Sequence, residues 1–189
     1  MADRGNQHLE SLLRQAASGD EDAWSQLVRE YLPRVLALLR SQCHDADLAE
    51  EITQSTFCTI VTKLDGYNEV GRFESWLFRI AMNRLRDEMR RRGRQARPVE
   101  EASLVGLAGS TPDPNEDPDF TSEDFEPLRR AMAQLSESDR TVIDLRHQGG
   151  LSFKAISELL QEPVGTLLAR HHRALGKLKS LIESSREPP

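Results

Sequence analysis

The chain has 189 residues, of which 38% are hydrophobic, 5% aromatic and 30% charged, and this length allows one ordinary domain or two small ones. The abundance of Leu, Arg, Glu and Ala, with so few aromatic residues, predicts an all-α fold. No segment has the apolar run of a signal peptide or a membrane span, and Cys43 and Cys58 form no CxxC pair that would indicate a disulfide framework or a zinc site. The sequence therefore predicts a soluble cytoplasmic protein with no membrane insertion and neither a metal nor a cofactor.

The first predicted helices follow an N-terminal extension, residues 1–20. Apolar residues recur at the three-four spacing of an amphipathic helix from Trp24 to Leu39, with Pro33 as a predicted kink. A second helix is marked by Leu48, Ile52, Ile60, Val61 and Leu64. After two glycines, a third helix runs from about Glu74 into a cluster of arginines. Residues 21–97 are thus predicted to form one helical domain.

The third helix is predicted to have one apolar and one basic face. On a helical wheel the apolar arc comprises Phe73, Leu77, Ile80, Ala81, Leu85 and Met89, and the opposite arc Arg79, Asn83, Arg86 and Arg90. Guanidinium groups contact phosphates and an amide can contact a base edge, so this arc is a candidate DNA surface. A solvated charged face remains the alternative. Arg84 and Glu88 fall toward the apolar arc, and we expect an i,i+4 ion pair there.

The loop before this helix combines aromatic rings, a cation and glycine turns. Its candidate DNA-contacting residues are Tyr67, Asn68, Arg72, Phe73 and Trp76. Aromatic rings can stack on an unpaired base of any identity, so the loop could hold an opened base. A plain loop whose rings belong to the core is the other interpretation.

Residues 98–127 are predicted to be a disordered acidic linker. The segment contains five prolines, nine acidic side chains and no basic one, a composition that does not support a packed core. The whole negative excess of the chain lies here, so the overall net charge of -6 does not describe the flanking domains. The linker is predicted either to mimic a nucleic acid as a flexible polyanion or to act as a tether only.

Residues 128–189 are predicted to form a second helical domain that ends in a helix-turn-helix. Helices are expected over 128–135, 139–147, 152–160 and 164–182, with Ser136 and Ser152 as N-caps and a turn at Gly149 and Gly150. The last two helices have the layout that places a recognition helix in the major groove. The side chains expected to project from it are Arg170, His172, Arg173 and Lys177. A generic helical hairpin is the alternative.

Both halves together resemble the extracytoplasmic-function (ECF) sigma factors. The stretch Ala49-Glu50-Glu51-Ile52-Thr53-Gln54-Ser55-Thr56-Phe57 is similar to the family motif A-E-D-L-V-Q-E-T-F, and residues 73–83 to the signature F-x-x-W-L-x-x-I-A-x-N. The resemblance implies that Glu50, Glu51 and Gln54 meet the β′ clamp helices of core RNA polymerase. It also implies that the third helix and the loop before it recognise and open the minus-ten promoter element.

The second domain resembles the family's domain that binds the minus-thirty-five element and the β flap of polymerase. Pro163-Val164-Gly165-Thr166 matches the family pattern, which makes Thr166 and Leu168 candidate DNA contacts together with the projecting cations. The recognition helix departs from the pattern, because Leu168 stands where the family has a phosphate-facing lysine and Glu162 replaces an apolar turn residue. Upstream-element binding is therefore expected to be weak.

The predicted function is that of a sigma factor that binds core polymerase and promoter DNA and directs transcription initiation. An anti-sigma factor is a further candidate partner. One alternative is a helix-turn-helix regulator that acts without polymerase. The other is a helical hydrolase, but the chain has no HExxH motif, no glycine-rich phosphate loop and no nucleophile with an evident base. The chain is accordingly predicted not to be an enzyme.

Overall fold

The computed structural model describes residues 2–67, 72–95 and 125–185, and within these ranges the regular elements are eight α-helices. The N-terminal half contains α1 (Ala2–Ala17), α2 (Glu21–Cys43), α3 (Ala46–Lys63) and α4 (Phe73–Gln95). The C-terminal half contains α5 (Glu126–Ala133), α6 (Glu137–His147), α7 (Phe153–Leu160) and α8 (Val164–Ser184). The all-α prediction is confirmed for this part of the chain.

The N-terminal half is organised around α2, which packs against α1, α3 and α4. Aspartates start two of these helices: Asp20 caps α2 by accepting a hydrogen bond from the Ala23 amide at 2.9 Å, and Asp45 caps α3 through the Leu48 amide at 3.0 Å. Fully buried side chains at the centre include Leu27, Val35, Leu38, Leu39, Leu48, Leu77 and Phe78. Each such side chain contributes about 1.5 to 3 kcal/mol by leaving water.

One feature of this half differs from the sequence prediction. Residues 2–17 of the predicted extension form α1, and Leu12 and Leu13 bury their side chains in the common core. Pro33, where the sequence predicts a kink, lies inside α2, which runs from Glu21 to Cys43.

The C-terminal half contains the predicted caps and turns. The Ser136 and Ser152 hydroxyls accept hydrogen bonds from the amides of Asp139 and Ala155, and so begin α6 and α7. Gly150 takes a φ of +64° in the turn between them, a conformation that suits glycine. A short turn from Gln161 to Pro163 then joins α7 to α8, which confirms the helix-turn-helix arrangement.

The two halves are packed against each other. Helix α7 lies against α4, and α6 lies against α2. The main hydrophobic core continues from the N-terminal half into the C-terminal half through Val142, Leu145, Leu151, Ala155, Ile156 and Leu167. A second, smaller cluster belongs to the C-terminal half alone and comprises Ala131, Leu135, Ile143, Ala174 and Leu178.

Several details correct the sequence predictions. Met89, predicted on the apolar arc of the third helix, is 49% exposed, and Val61, one of the apolar residues that marked the second helix, is 55% exposed. Helix α5 begins at Glu126, two residues before the predicted domain boundary, with Pro127 in its first turn, where a missing amide costs nothing. Residues 98–124 of the predicted linker lie outside the described residues, and so does Asn68. Among the helices that are described, none combines the length and apolarity needed to cross a bilayer.

Candidate nucleic-acid and polymerase interfaces

The outer face of α4 carries the row of polar side chains that the sequence predicted. Asn83, Arg86 and Arg90 are exposed along it, the Asn83 side-chain oxygen accepts a 3.3 Å hydrogen bond from Arg86, and Arg90 lies 3.9 Å from Asp87. Exposed contacts of this kind contribute little to stability. These three side chains, called the α4 row below, are therefore available for phosphate and base contacts.

Arg79, the fourth residue predicted on this arc, has a different environment. Its Nη2 donates a 2.6 Å hydrogen bond to the main-chain oxygen of Glu158 in α7. Arg72, just before α4, lies 3.7 Å from the Glu158 carboxylate. The predicted DNA-contacting residues thus fall into two groups. Asn83, Arg86 and Arg90 are exposed to solvent, whereas Arg72 and Arg79 contact the C-terminal half of the chain.

The remaining arginines of the cluster support the fold. Arg84 donates to the hydroxyls of Ser55 and Thr59 on α3, so the expected ion pair with Glu88 is wrong. Glu88 instead accepts from Arg91 and Arg92, and hydrogen bonds from these two guanidinium groups lower the pKa of Glu88 to about 2. The arginine run therefore serves two purposes, since part of it joins α4 to α3 and part of it faces solvent.

The aromatic residues next to α4 form one stack. Tyr67 and Trp76 lie almost parallel, with ring centroids 4.5 Å apart, and both are half-buried. Phe73 is only 2% exposed and meets Tyr31 edge-on at 5.2 Å. Phe73 thus supports the stack from the core and offers no free face to a base. Tyr67 and Trp76 remain partly exposed.

The polar row predicted on α3 lies on the surface. Glu51 and Gln54 are exposed, and Glu50 is exposed but accepts a 2.9 Å hydrogen bond from Arg40. The same face continues toward the end of α3 with exposed Cys58 and Val61. A groove between α3 and α4 borders it and is lined by Glu51, Ile52, Ser55, Arg84, Asp87, Glu88, Arg91 and Arg94. This face is a mixed acidic and apolar surface suited to a protein partner.

The recognition helix α8 presents fewer cations than expected. Thr166, Leu168, His172 and Arg173 are exposed. Arg170, however, is held by both carboxylate oxygens of Glu162, at 2.9 and 2.7 Å, and its side chain is 18% exposed. Lys177 donates to the Gln134 main-chain oxygen at 2.7 Å and fastens α8 to the end of α5. Two of the predicted DNA contacts are therefore engaged within the domain.

Sequence reasoning missed the residues that join the two halves. Besides Glu158, these are Arg34, whose Nε donates to the Gly149 oxygen at 2.8 Å, and Gln42, whose amide donates to Asp144 at 2.7 Å. The partners lie about a hundred residues apart in the chain, and no local pattern indicates such a pairing. The one sign in the sequence of contacts between the halves was a charged residue among buried apolar ones, such as Asp144 within α6.

A helical N-terminal half with a basic row, joined to a helix-turn-helix half, defines a transcription factor of helical architecture. Comparison with known proteins gives the family. Residues 27–95 match the model of sigma-70 region 2, and residues 125–178 match that of sigma-70 region 4. The chain belongs to the ECF sigma factor family, and it is a sigma factor that directs transcription initiation. This result replaces the alternative of a helix-turn-helix regulator that acts without polymerase.

Individual relatives agree along nearly the whole chain. The RNA polymerase sigma-H factor of Pseudomonas aeruginosa is 31% identical over 178 residues, which cover 87% of this chain and 89% of the relative. The ECF sigma factor SigW of Bacillus subtilis is 27% identical over 92% of this chain and 96% of its own. Among solved structures, the sigma factor RpoE of Bartonella quintana, in complex with the anti-sigma factor NepR, superposes with a TM-score of 0.64 at 26% identity, covering 86% of this chain and 98% of that one.

Proposed function

We propose that the chain binds core RNA polymerase in the cytoplasm through the exposed face of α3 and holds the minus-ten promoter element on the α4 row. The observation that carries this assignment is that the two faces lie on adjacent helices and remain separately exposed. Arg84 joins these helices from within by its hydrogen bonds to Ser55 and Thr59. Polymerase and DNA can therefore be bound side by side without competing for residues.

The α4 row supplies the DNA contacts in this proposal. Arg86 and Arg90 neutralise phosphates, and Asn83, one turn before Arg86 on the same face, contacts a base edge. The Tyr67 and Trp76 stack, which adjoins the N-terminal end of α4, provides the surface on which an opened base stacks. Arg72 and Arg79 extend the basic surface toward this stack, and Asn68, which follows Tyr67 in the sequence, is assigned to the same DNA contact. The sigma factor contributes position and melting free energy but no chemistry on the DNA.

The α3 face supplies the polymerase contacts. Glu51 and Gln54 are free to meet the β′ clamp helices, while Glu50 contributes together with its partner Arg40. The C-terminal half is assigned to the β flap and the minus-thirty-five element. Binding of that element is weak in this proposal, because Glu162 neutralises Arg170 and Leu168 offers no charge to a phosphate. The solved complex of a similar sigma factor with NepR supports an anti-sigma partner for this chain as well.

One experiment with two double variants tests the proposal. Glu51→Arg with Gln54→Ala should abolish co-purification with core polymerase. Arg86→Ala with Arg90→Ala should leave co-purification intact, weaken promoter opening and lower the salt slope of DNA binding by roughly 0.7 to 0.9 for each arginine lost. Run-off transcription on genomic promoters measures opening, and circular dichroism confirms folding. Normal polymerase binding by the first variant, or normal opening by the second, would contradict the corresponding assignment.

A further inference from the structure

Two histidines meet in the C-terminal half, where the end of α6 lies beside the recognition helix α8. His147 is the last residue of α6, and His171 belongs to α8. Their Nε2 atoms are 3.1 Å apart, their ring centroids are 5.3 Å apart, and the ring planes are inclined by only 16°. The two imidazoles therefore point at each other, nitrogen to nitrogen.

The separation of these two nitrogens suits a shared metal ion. A histidine nitrogen binds Zn²⁺ at about 2.0 to 2.1 Å, so two such ligands lie about 2.9 Å apart at a right angle and about 3.3 Å apart at the tetrahedral angle. The observed distance of 3.1 Å falls between these two values. A turn of the rings, which brings both lone pairs to one point beside the line that joins the nitrogens, is enough to admit an ion without moving the helices.

The surroundings orient one imidazole and leave the other able to turn. His171 is half-buried, and the Phe153 ring meets it edge-on at 5.2 Å. His147 is exposed at the C-terminal end of α6, where the helix dipole is negative and favours a cation. Arg146 is close enough for its charge to act on His171, but its guanidinium lies over the Phe153 ring and donates to the Leu151 main-chain oxygen at 2.9 Å. Arg146 therefore leaves the imidazole nitrogens accessible.

The chain supplies two ligands at this point. Throughout the described residues, no group of three His, Cys, Asp or Glu side chains is placed to share an ion, so water completes the coordination. Imidazole ligands suit Cu²⁺, Ni²⁺ and Zn²⁺, whereas Mg²⁺ requires oxygen ligands. The two histidines are 24 positions apart in the chain and belong to no short ligand motif, which is why the sequence predicted no metal.

We propose that His147 and His171 form a binding site for a late first-row divalent ion of the class Cu²⁺, Ni²⁺ and Zn²⁺, which fastens the end of α6 to the recognition helix. The ion replaces one hydrogen bond between the two imidazoles by two coordination bonds. Because the unfolded chain does not hold these imidazoles together, the ion binds the folded C-terminal half preferentially and stabilises it.

Calorimetric titration of the full chain with nickel chloride at neutral pH tests the site. His147→Gln and His171→Gln each remove one ligand. His172→Gln removes the neighbouring exposed histidine of α8 and is the matched control, since adjacent residues of a helix face different directions. Magnesium chloride is the control for unspecific binding of a divalent cation.

The unmodified chain and His172→Gln should bind Ni²⁺ with equal affinity, and neither should bind Mg²⁺. His147→Gln and His171→Gln should each bind Ni²⁺ at least about tenfold less tightly, since even the groups that support a metal ligand contribute roughly 10- to 100-fold to affinity. A loss of affinity in His172→Gln as large as that in His171→Gln would overturn the proposal.

Thermal melts measure the same site through stability. Ni²⁺ should raise the melting temperature of the unmodified chain and of His172→Gln, but not that of the double variant His147→Gln with His171→Gln. Any Ni²⁺ that the double variant still binds is held by other groups, such as the exposed thiol of Cys58. Equal Ni²⁺ affinities of the unmodified chain and the double variant would overturn the proposal and show that the two histidines form a hydrogen bond only. Circular dichroism checks that the variants fold, and the exposed His147 provides the test if His171→Gln does not.

Discussion

Two adjacent leucines on the recognition helix have opposite environments. Leu167 is completely buried and belongs to the main core, whereas Leu168 is 46% exposed. The family resemblance placed a phosphate-facing position at Leu168, and its exposure agrees with a surface role. A leucine there supplies no counter-charge to DNA, and the nearby Arg170 is already neutralised by Glu162. The uncharged Leu168 and the paired Arg170 thus give a structural reason for the weak binding of the upstream promoter element that the sequence predicted.

A lysine at this position should restore a phosphate contact. We expect Leu168→Lys in the full chain to fold normally, to bind upstream promoter DNA more tightly, and to increase the salt slope of binding by about 0.9. Leu168→Gln, which is polar but uncharged, is the matched control and should leave the slope unchanged. A salt titration of DNA affinity together with a thermal melt makes the measurement. An unchanged slope in a stably folded Leu168→Lys protein would show that this side chain does not reach the DNA backbone.

At the level of single residues, the sequence predicts side-chain environment only where helical periodicity decides it. The α4 row was found because its members share one arc of the wheel. The wheel could not indicate that Arg84 bonds to α3 hydroxyls or that Arg170 turns back to Glu162. In both cases an arginine side chain is long enough to reach a partner away from its own arc.

At the level of elements, the sequence analysis predicted the described helices α2 to α8 and missed α1. Capping serines and glycine turns located α6 and α7 to within two residues, because caps satisfy the free amides at a helix start. The segment before Asp20 was interpreted as an extension because its leucines are few. Leu9, Leu12, Leu13 and Ala16 nevertheless have the spacing of one helical face, and this face packs against the core.

Helix α1 should therefore contribute to stability. Leu13 is 4% exposed, and Leu13→Ala should lower the free energy of unfolding by about 2 to 5 kcal/mol, the usual cost of deleting a buried leucine side chain. Arg14→Ala is the control on the same helix, since Arg14 is 74% exposed and pairs with the exposed Glu10; it should change the unfolding free energy by less than about 1 kcal/mol. Urea denaturation of both variants measures the difference. Equal midpoints would mean that α1 does not contribute to the folded unit.

At the level of the whole molecule, the sequence predicted two domains on a linker but not their docking. The contacts that join them involve single polar side chains and main-chain oxygens, such as Arg34 with Gly149, and these leave no periodic pattern. The core positions of the C-terminal half were recognisable as apolar, but the sequence does not tell whether they face their own domain or another one. Whether such a position faces its own domain or the other one depends on how the complete surfaces of the two halves fit together.

Asp144 gives this docked arrangement a dependence on pH. Burial raises the pKa of its carboxyl group, and hydrogen bonds from Gln42 and Ser41, with the nearby charges of Arg140 and His44, offset only part of this effect. Because the docked form prefers the protonated acid, docking is strongest below the ordinary carboxyl pKa of about 4 and weakens as pH rises through the raised value. At neutral pH the burial of the ionised carboxylate therefore works against docking, although the hydrogen bond from Gln42 favours that ionised form.

Replacing this carboxylate by its uncharged isostere should tighten docking at neutral pH. Asp144→Asn retains an oxygen that accepts from Gln42 but removes the buried charge, so we expect a smaller radius of gyration than in the unmodified chain. The contribution of this site to the pH dependence should also disappear, leaving a flatter curve between pH values of about 4 and 7. Asp139→Asn makes the same substitution on the same helix and is the control. Small-angle X-ray scattering across this pH range measures the effect. If Asp144→Asn were as extended as the unmodified chain at every pH, the carboxylate would have no part in the docking of the two halves.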